Sequence, residues 1–251
     1  MRLMLACALA LLVTASAAPG GTLYAIRDSD NYLVTIDTVT LEFNVIGSTG
    51  VGSGDFGDLA YNSDTGTMYW VAGRGNNNLY TVDLSTGVAT LVGSHGIHDL
   101  FTAGYDSSTG TLYGQSTSGD VYQISMVDGS ATPIGRNGVY PGGYDYIPDT
   151  DQLILLEAGG GDIFEIDRTT GAATLLAAGD FVNDNDIAYD WDADVCWALD
   201  WSGDLYKYQL PDFSRTHVMG GLGPYGAVEY IPEPGTLGLL LIGVTLLARR
   251  R

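Results

Sequence analysis

Residues 61–104 read YNSDTGTMYWVAGRGNNNLYTVDLSTGVATLVGSHGIHDLFTAG. Short runs within them (TMYWVA, NLYTVD, VATLVG) alternate apolar and polar residues, and turns rich in Asp, Ser, Thr and Gly separate the runs. That is a strand pattern of period two with hairpin punctuation. The unit recurs. Its core Leu79-Tyr80-Thr81-Val82-Asp83 returns as Val121-Tyr122-Gln123-Ile124-Ser125, as Ile163-Phe164-Glu165-Ile166-Asp167 and as Leu205-Tyr206-Lys207-Tyr208-Gln209. An earlier copy is Leu33-Val34-Thr35-Ile36-Asp37. The first step is 46 residues and each later one is 42. Four strands at a period of about 40–45 residues is the spacing of a propeller blade.

Aligned on this core, each unit has a first strand ending in Tyr61, Tyr105, Tyr146, Tyr189 or Tyr230. A second strand carries Tyr24, Tyr69, Tyr113, Ile154 or Trp197, and the core is the third. The fourth ends in Ile46-Gly47, Val92-Gly93, Ile134-Gly135, Leu176-Ala177 or Met219-Gly220. The first copy, from Gly21, lacks a first strand of its own, and a spare one, residues 227–230, stands after the last copy. The sequence therefore predicts an all-β, five-bladed β-propeller of four-stranded antiparallel blades over residues 20–231. Strand 227–230 would pair into the first blade and close the ring, which removes the open edges. Eleven of the sixteen tyrosines fall on repeat positions and read as inter-blade packing; Tyr32, Tyr140, Tyr144, Tyr208 and Tyr225 do not.

Thirty acidic residues face ten basic ones, which excludes the clustered Lys and Arg of a nucleic-acid footprint. Four of the ten bases are Arg2, Arg249, Arg250 and Arg251. Residues 1–17 have one basic residue, an apolar run and the small-residue site Ala15-Ser16-Ala17, and are expected to be a secretory signal peptide. Removal of that segment would leave Cys196 as the single cysteine, in the apolar run VCWALD, as a buried thiol.

Residues 232–251 form a tail. Pro232-Glu233-Pro234 leads into the apolar stretch GTLGLLLIGVTLLA, and Arg249, Arg250 and Arg251 follow. The 14 apolar residues fall short of the ~20 of an ordinary membrane span, and the arginines would hold their end on the cytoplasmic side. An ordinary C-terminal anchor is the plain alternative. In the order Pro-Glu-Pro, apolar segment, arginine cluster, the tail resembles the PEP-CTERM sorting signal of Gram-negative bacteria. The resemblance covers residues 231–251. It implies processing by an exosortase, transient attachment to the inner membrane, and export to the cell surface or an exopolysaccharide matrix. The repeat itself is similar to secreted bacterial propellers that serve as binding scaffolds, lyases or cyclotransferases, so the likeness does not choose among them.

The links between fourth and first strands, and between second and third strands, differ from copy to copy and emerge on one face of a propeller. Variable loops on a rigid ring are where binding is placed. Three sets of residues on that face are candidates. Asp180, Asn183, Asp184, Asn185 and Asp186, with Asp55 and Asp58, offer hard oxygen ligands for calcium, although Asp and Asn also favour turns. His95, His98 and Asp99 offer a transition-metal or acid–base cluster without a third well-placed ligand. Arg74, Asn76, Asn77, Asn78, Tyr140, Trp201 and Tyr225 offer a glycan-binding rim of aromatics, amides and one arginine. No nucleophile elbow or phosphate-cradling loop is present. The leading expectation is a non-catalytic binding scaffold for polysaccharide or another envelope component. A hydrolase or lyase using His95, His98 or the 180–186 loop, and a calcium-stabilised adhesin, are the alternatives.

Overall fold

The computed structural model describes residues 20–52, 57–180 and 186–232. The signal segment, Asp55, Asn183, Asp184, Asn185 and the tail from Glu233 onward lie outside the described residues.

Every described blade is a four-stranded antiparallel meander. Blade 2 holds β4 (Gly57–Asn62), β5 (Thr67–Ala72), β6 (Asn78–Val82) and β7 (Ala89–Ser94). Blade 3 holds β8 (Gly104–Asp106), β9 (Thr111–Gln115), β10 (Asp120–Ile124) and β11 (Ala131–Arg136). Blade 4 holds β12 (Pro141–Ile147), β13 (Gln152–Glu157), β14 (Ile163–Ile166) and β15 (Ala173–Ala177). Blade 5 holds β16 (Asp186–Asp190), β17 (Val195–Leu199), β18 (Leu205–Gln209) and β19 (Ser214–Met219). Blade 1 is built from both ends of the chain: β20 (Tyr225–Pro232), then β1 (Gly21–Arg27), β2 (Tyr32–Asp37) and β3 (Phe43–Ser48). The displaced strand closes the ring, and the fold is the five-bladed propeller that the repeat predicts.

Two boundaries move. The closing strand runs through Pro232 rather than ending at Tyr230, because it pairs with β1 along its whole length, from Arg27↔Tyr225 to Gly21↔Pro232. The fourth-strand alignment of the last copy also slips by one. Leu205 pairs with Met219, as Leu33 pairs with Gly47 and Leu79 with Gly93, so Met219 and not Gly220 is the repeat equivalent. All five blades carry a register shift just after this residue of the third strand, between Leu33 and Val34 in the first copy and Leu205 and Tyr206 in the last. Such a bulge bends the outer strand and increases its twist.

Burial grades outward from the axis. β16 and β17 are buried throughout, whereas no residue of β7 or β11 is buried. Strands covered on both faces carry near-continuous apolar runs, and one-sided outer strands alternate. The apolar clusters lie between blades rather than within them. One joins Leu23, Ile36, Val228 and Tyr230 of blade 1 to Ala188, Trp197 and Leu205 of blade 5. No blade covers its own apolar face, so ring closure stabilises every blade.

The turns between third and fourth strands explain the repeated Asp-x-x-Thr-Gly pattern. Asp83 Oδ1 accepts the N–H groups of Ser85 and Thr86, and Asp167 Oδ1 those of Thr169 and Thr170. The glycine that follows, Gly87 at φ 82°, takes the left-handed conformation that glycine adopts without a steric cost.

Candidate functional site

Antiparallel meanders place the links between second and third strands, and those from fourth to first strands, on one face. Arg74 sits in such a link of blade 2, Phe101 in the link from blade 2 to blade 3, and Tyr140 in the link from blade 3 to blade 4. The Arg74 guanidinium lies over the Phe101 ring, 5.2 Å from its centroid, and Phe101 lies 6.4 Å from the Tyr140 ring. Phe101 is buried, while Arg74 and Tyr140 are exposed on it. Links from three blades thus build one cation–aromatic ledge. Phe101 holds no repeat position, so the repeat does not mark it. The signal was an aromatic in a link of variable sequence, next to Leu100, whose bridge to Ser116 anchors the link.

The asparagines beside this ledge bind one another. Asn78 Nδ2 donates to Asn76 Oδ1 at 2.7 Å, and Asn76 Nδ2 donates to Tyr80 Oη at 3.1 Å. The Asn77 carbonyl accepts the His95 N–H at 3.0 Å, and Asn77 Oδ1 is a buried acceptor with no hydrogen bond. Trp201 is half-buried in the turn after β17. Tyr225 is no rim residue. It opens β20, is 1% exposed within the core between blades 5 and 1, and its hydroxyl donates to the Leu222 carbonyl.

The histidines separate. His95 is buried; its Nε2 lies 3.3 Å from the Ala72 carbonyl, and its Nδ1 accepts the Ile97 N–H at 3.2 Å. Burial holds its pKa below the ordinary histidine value, so it is a neutral ring tying two links together rather than an available acid or base. His98 is exposed, with Nδ1 2.8 Å from Asp99 Oδ2. Among the described residues no three His, Cys, Asp or Glu side chains converge to hold a metal ion.

The acidic residues divide in the same way. Asp180 is exposed, 3.9 Å from Arg215. Asp58 and Asp186 are not loop residues: they lie in β4 and β16, 0% and 3% exposed, at the ring axis. Asp145 of β12 and Glu229 of β20 join them. Counted back from the terminal tyrosine of each inner strand, Asp58 and Asp186 stand three residues before it, and Asp145 and Glu229 one before it. Three of them reach the inner strand of the next blade, and Asp58 reaches across to the link before β8 and to β12. Asp145 Oδ2 accepts the Tyr189 N–H, Asp186 Oδ2 accepts the Val228 N–H, and Glu229 Oε2 accepts the Tyr61 N–H at 2.8 Å. Asp58 Oδ2 accepts the N–H groups of Ala103 and Tyr144 at 2.7 and 3.2 Å. Gly143 makes room for this set, since a Cβ there would lie 1.8 Å from Asp186 Oδ1.

Burial is the main cause that pushes all four carboxyls upward, Asp145 and Asp186 to about 7. The neighbouring Asp186 charge adds to the rise at Asp58, and the Asp145 charge to that at Glu229. These four groups are a structural clasp that fastens the inner strands to one another.

No protein-family model and no curated protein matches the chain. Solved structures do resemble it. A Bacteroides thetaiotaomicron protein of unknown function superposes with a TM-score of 0.61 at 13% identity, over 88% of this chain and 64% of that one. The chain thus spans under two thirds of that protein's length. A chain of a nidogen–laminin complex gives 0.56 at 12% identity, over 82% of this chain and 83% of that one. TolB from Acinetobacter baumannii gives 0.56 at 14% identity, over 85% and 67%. The likeness is one of fold alone.

Proposed function

We propose that this chain is an exported binding scaffold, a rigid ring that presents its Arg74–Phe101–Tyr140 ledge to polysaccharide or another component of the cell envelope. The observation that carries the reading is that ledge, assembled from the links of three blades on a ring closed by its last strand. An aromatic platform flanked by a guanidinium and by amides suits sugar rings, which offer an apolar face and a rim of hydroxyls. The likeness to a chain from a nidogen–laminin complex, an assembly of two proteins, is in keeping with a ring that binds, though it supplies no ligand for this one.

The same proposal gives the ends of the chain their role. Residues 1–17 direct export, and the tail from Pro232, with its arginine cluster, retains the chain at the inner membrane until an exosortase processes it. Intact mass and cell fractionation in the native host test this part. A species starting near Ala18, truncated near Pro232 and found outside the cell supports it. A species that keeps Arg249, Arg250 and Arg251 in the membrane fraction makes the protein an anchored surface protein instead. Titration with extracellular polysaccharide from the same host tests the binding part, and absence of binding removes it.

A further inference from the structure

At three successive junctions between blades, a fourth-strand glycine lies directly against the outer turn of the next blade. A Cβ on Gly47 would sit 2.2 Å from the Thr86 carbonyl oxygen, one on Gly93 1.8 Å from that of Asp128, and one on Gly135 1.9 Å from that of Thr170. The register puts Met219 and Ala177 at the equivalent positions of blades 5 and 4. The facing left-handed turn residues, glycine at those three junctions, become Leu41 (φ 59°) in blade 1 and Phe213 (φ 53°) in blade 5. Between blades 5 and 1, Met219 and Leu41 pack against the shared core and fill the gap. Between blades 4 and 5, Ala177 and Phe213 likewise pack against the shared core, but a hollow remains beside them. A cavity of about 220 Å³ opens there, lined among others by Ala177, Asp180, Tyr208, Asp212, Phe213 and Arg215.

Two more departures from the repeat meet at this cavity. The third-strand position occupied by Ile36, Val82, Ile124 and Ile166 holds Tyr208 in blade 5. Tyr208 is 3% exposed and pairs across the strands with Arg215, whose guanidinium acts on its hydroxyl against the upward push of burial. The fourth-strand position of Phe43, Ala89, Ala131 and Ala173 holds Arg215. Its guanidinium stands 4.8 Å over the Tyr206 ring and 3.9 Å from Asp180. All the unusual residues of this junction face one space.

We infer that the hollow between blades 4 and 5 is a second binding site, for a single neutral pyranose ring. Two carboxylates, Asp180 and Asp212, oppose one guanidinium, which disfavours an anion. A mixture of donors and acceptors beside a phenylalanine matches hydroxyls and the apolar face of a sugar. The volume lies below the ~300–1,000 Å³ of drug-sized pockets, which limits the guest to about one ring. The inference rests on the reading of the ring as a glycan-binding scaffold, and the test separates the two.

Saturation-transfer NMR of the full chain with the methyl glycosides of glucose, galactose, mannose and N-acetylglucosamine is the experiment. At least one sugar is expected to receive saturation. Its affinity should fall about tenfold in Arg215→Ala, the loss of one charge-assisted hydrogen bond, and fall measurably in Asp180→Ala, a change at an exposed residue of the cavity lining that keeps the fold. In Arg74→Ala/Tyr140→Ala, which removes the ledge, the saturation that remains reports the junction alone. A signal lost in the Arg74/Tyr140 variant but kept in the other two overturns the junction site and leaves the ledge standing. Binding by none of the four sugars also overturns the junction site, and polymer binding then decides the scaffold reading separately.

Discussion

Glu229 Oε2 accepts the backbone N–H of Tyr61 at 2.8 Å across 168 residues of sequence, joining β20 to the inner strand of the next blade. Its other oxygen accepts the N–H of Tyr230 at 2.7 Å. With Asp58, Asp145 and Asp186, it makes the axis a place where strands are fastened by side chains. Glu229→Ala leaves two buried N–H groups without a partner and should cost about 2–4 kcal/mol. Urea unfolding followed by far-UV circular dichroism would read the loss as a lower midpoint. An unchanged midpoint would mean that the clasp is idle.

The same four groups set a pH dependence. A carboxyl whose native pKa is raised keeps its proton where the unfolded chain has lost it, so stability falls as pH rises through that window. For Asp145 and Asp186 the window runs from about 4, the unfolded value, up to about 7, and the curve flattens above it. Below it the turn carboxylates act in the opposite sense, Asp167 being held down at about 2 by the Thr169 hydroxyl and the N–H groups of its turn. The melting temperature should therefore be higher at pH 5 than at pH 8. Asp145→Asn with Asp186→Asn should flatten the difference, and a melting temperature that rises from pH 5 to pH 8 would contradict the assignment.

Blades 3 and 4 are also joined near their outer turns. Arg168 Nη1 lies 2.5 Å from Asp106 Oδ2, a fully buried carboxylate, and Nη2 lies 2.8 Å from Asp151 Oδ1. Burial alone would raise the Asp106 pKa, and its bonds to Ser108, Thr109 and Arg168 outweigh that and lower it. Arg168→Ala removes the positive partner and is expected to destabilise by roughly 2–4 kcal/mol. Arg168→Lys, which cannot reach both carboxylates with a planar fork, should recover only part of this. Thermal melts of the two variants decide it.

The close junctions make a sharper contrast. Gly135→Ala drives a methyl group onto the Thr170 carbonyl and should cost ~1–3 kcal/mol through displaced backbone. At position 177, where alanine already stands at the hollow junction, Ala177→Gly should change stability by less than about 1 kcal/mol. Equal costs at the two positions, measured by denaturant unfolding, would show that the junctions do not differ.

Blade number, strand order and ring closure were legible because the repeat writes them several times over, and because a strand left over at the end has one place to go. The clasp was not. Asp58, Asp145, Asp186 and Glu229 occupy two different repeat positions, and no blade carries more than one of them, so alignment of the copies hides their meeting. The available signal was a carboxylate inside an apolar inner strand, as in GDLAY and GAVEY, where an unpartnered charge would be costly. Asp186 read as a loop ligand because it ends a run of Asp and Asn, yet the strand begins with it. Tyr225 reads as a rim aromatic because the strand alternation is plain only from Ala227, while the strand itself opens at Tyr225. Of the rim residues, Arg74 and Tyr140 do come together, through Phe101, because links from neighbouring blades converge on the face where they emerge.

The most direct measurement is the affinity of extracellular polysaccharide from the native host for the wild-type chain and for Arg74→Ala/Tyr140→Ala, by calorimetry at moderate salt. Loss of a cation–aromatic ledge worth roughly 1–3 kcal/mol should weaken binding by about tenfold or more while the melting temperature stays close to wild type. Equal affinity of the two proteins would contradict the ledge as the binding face.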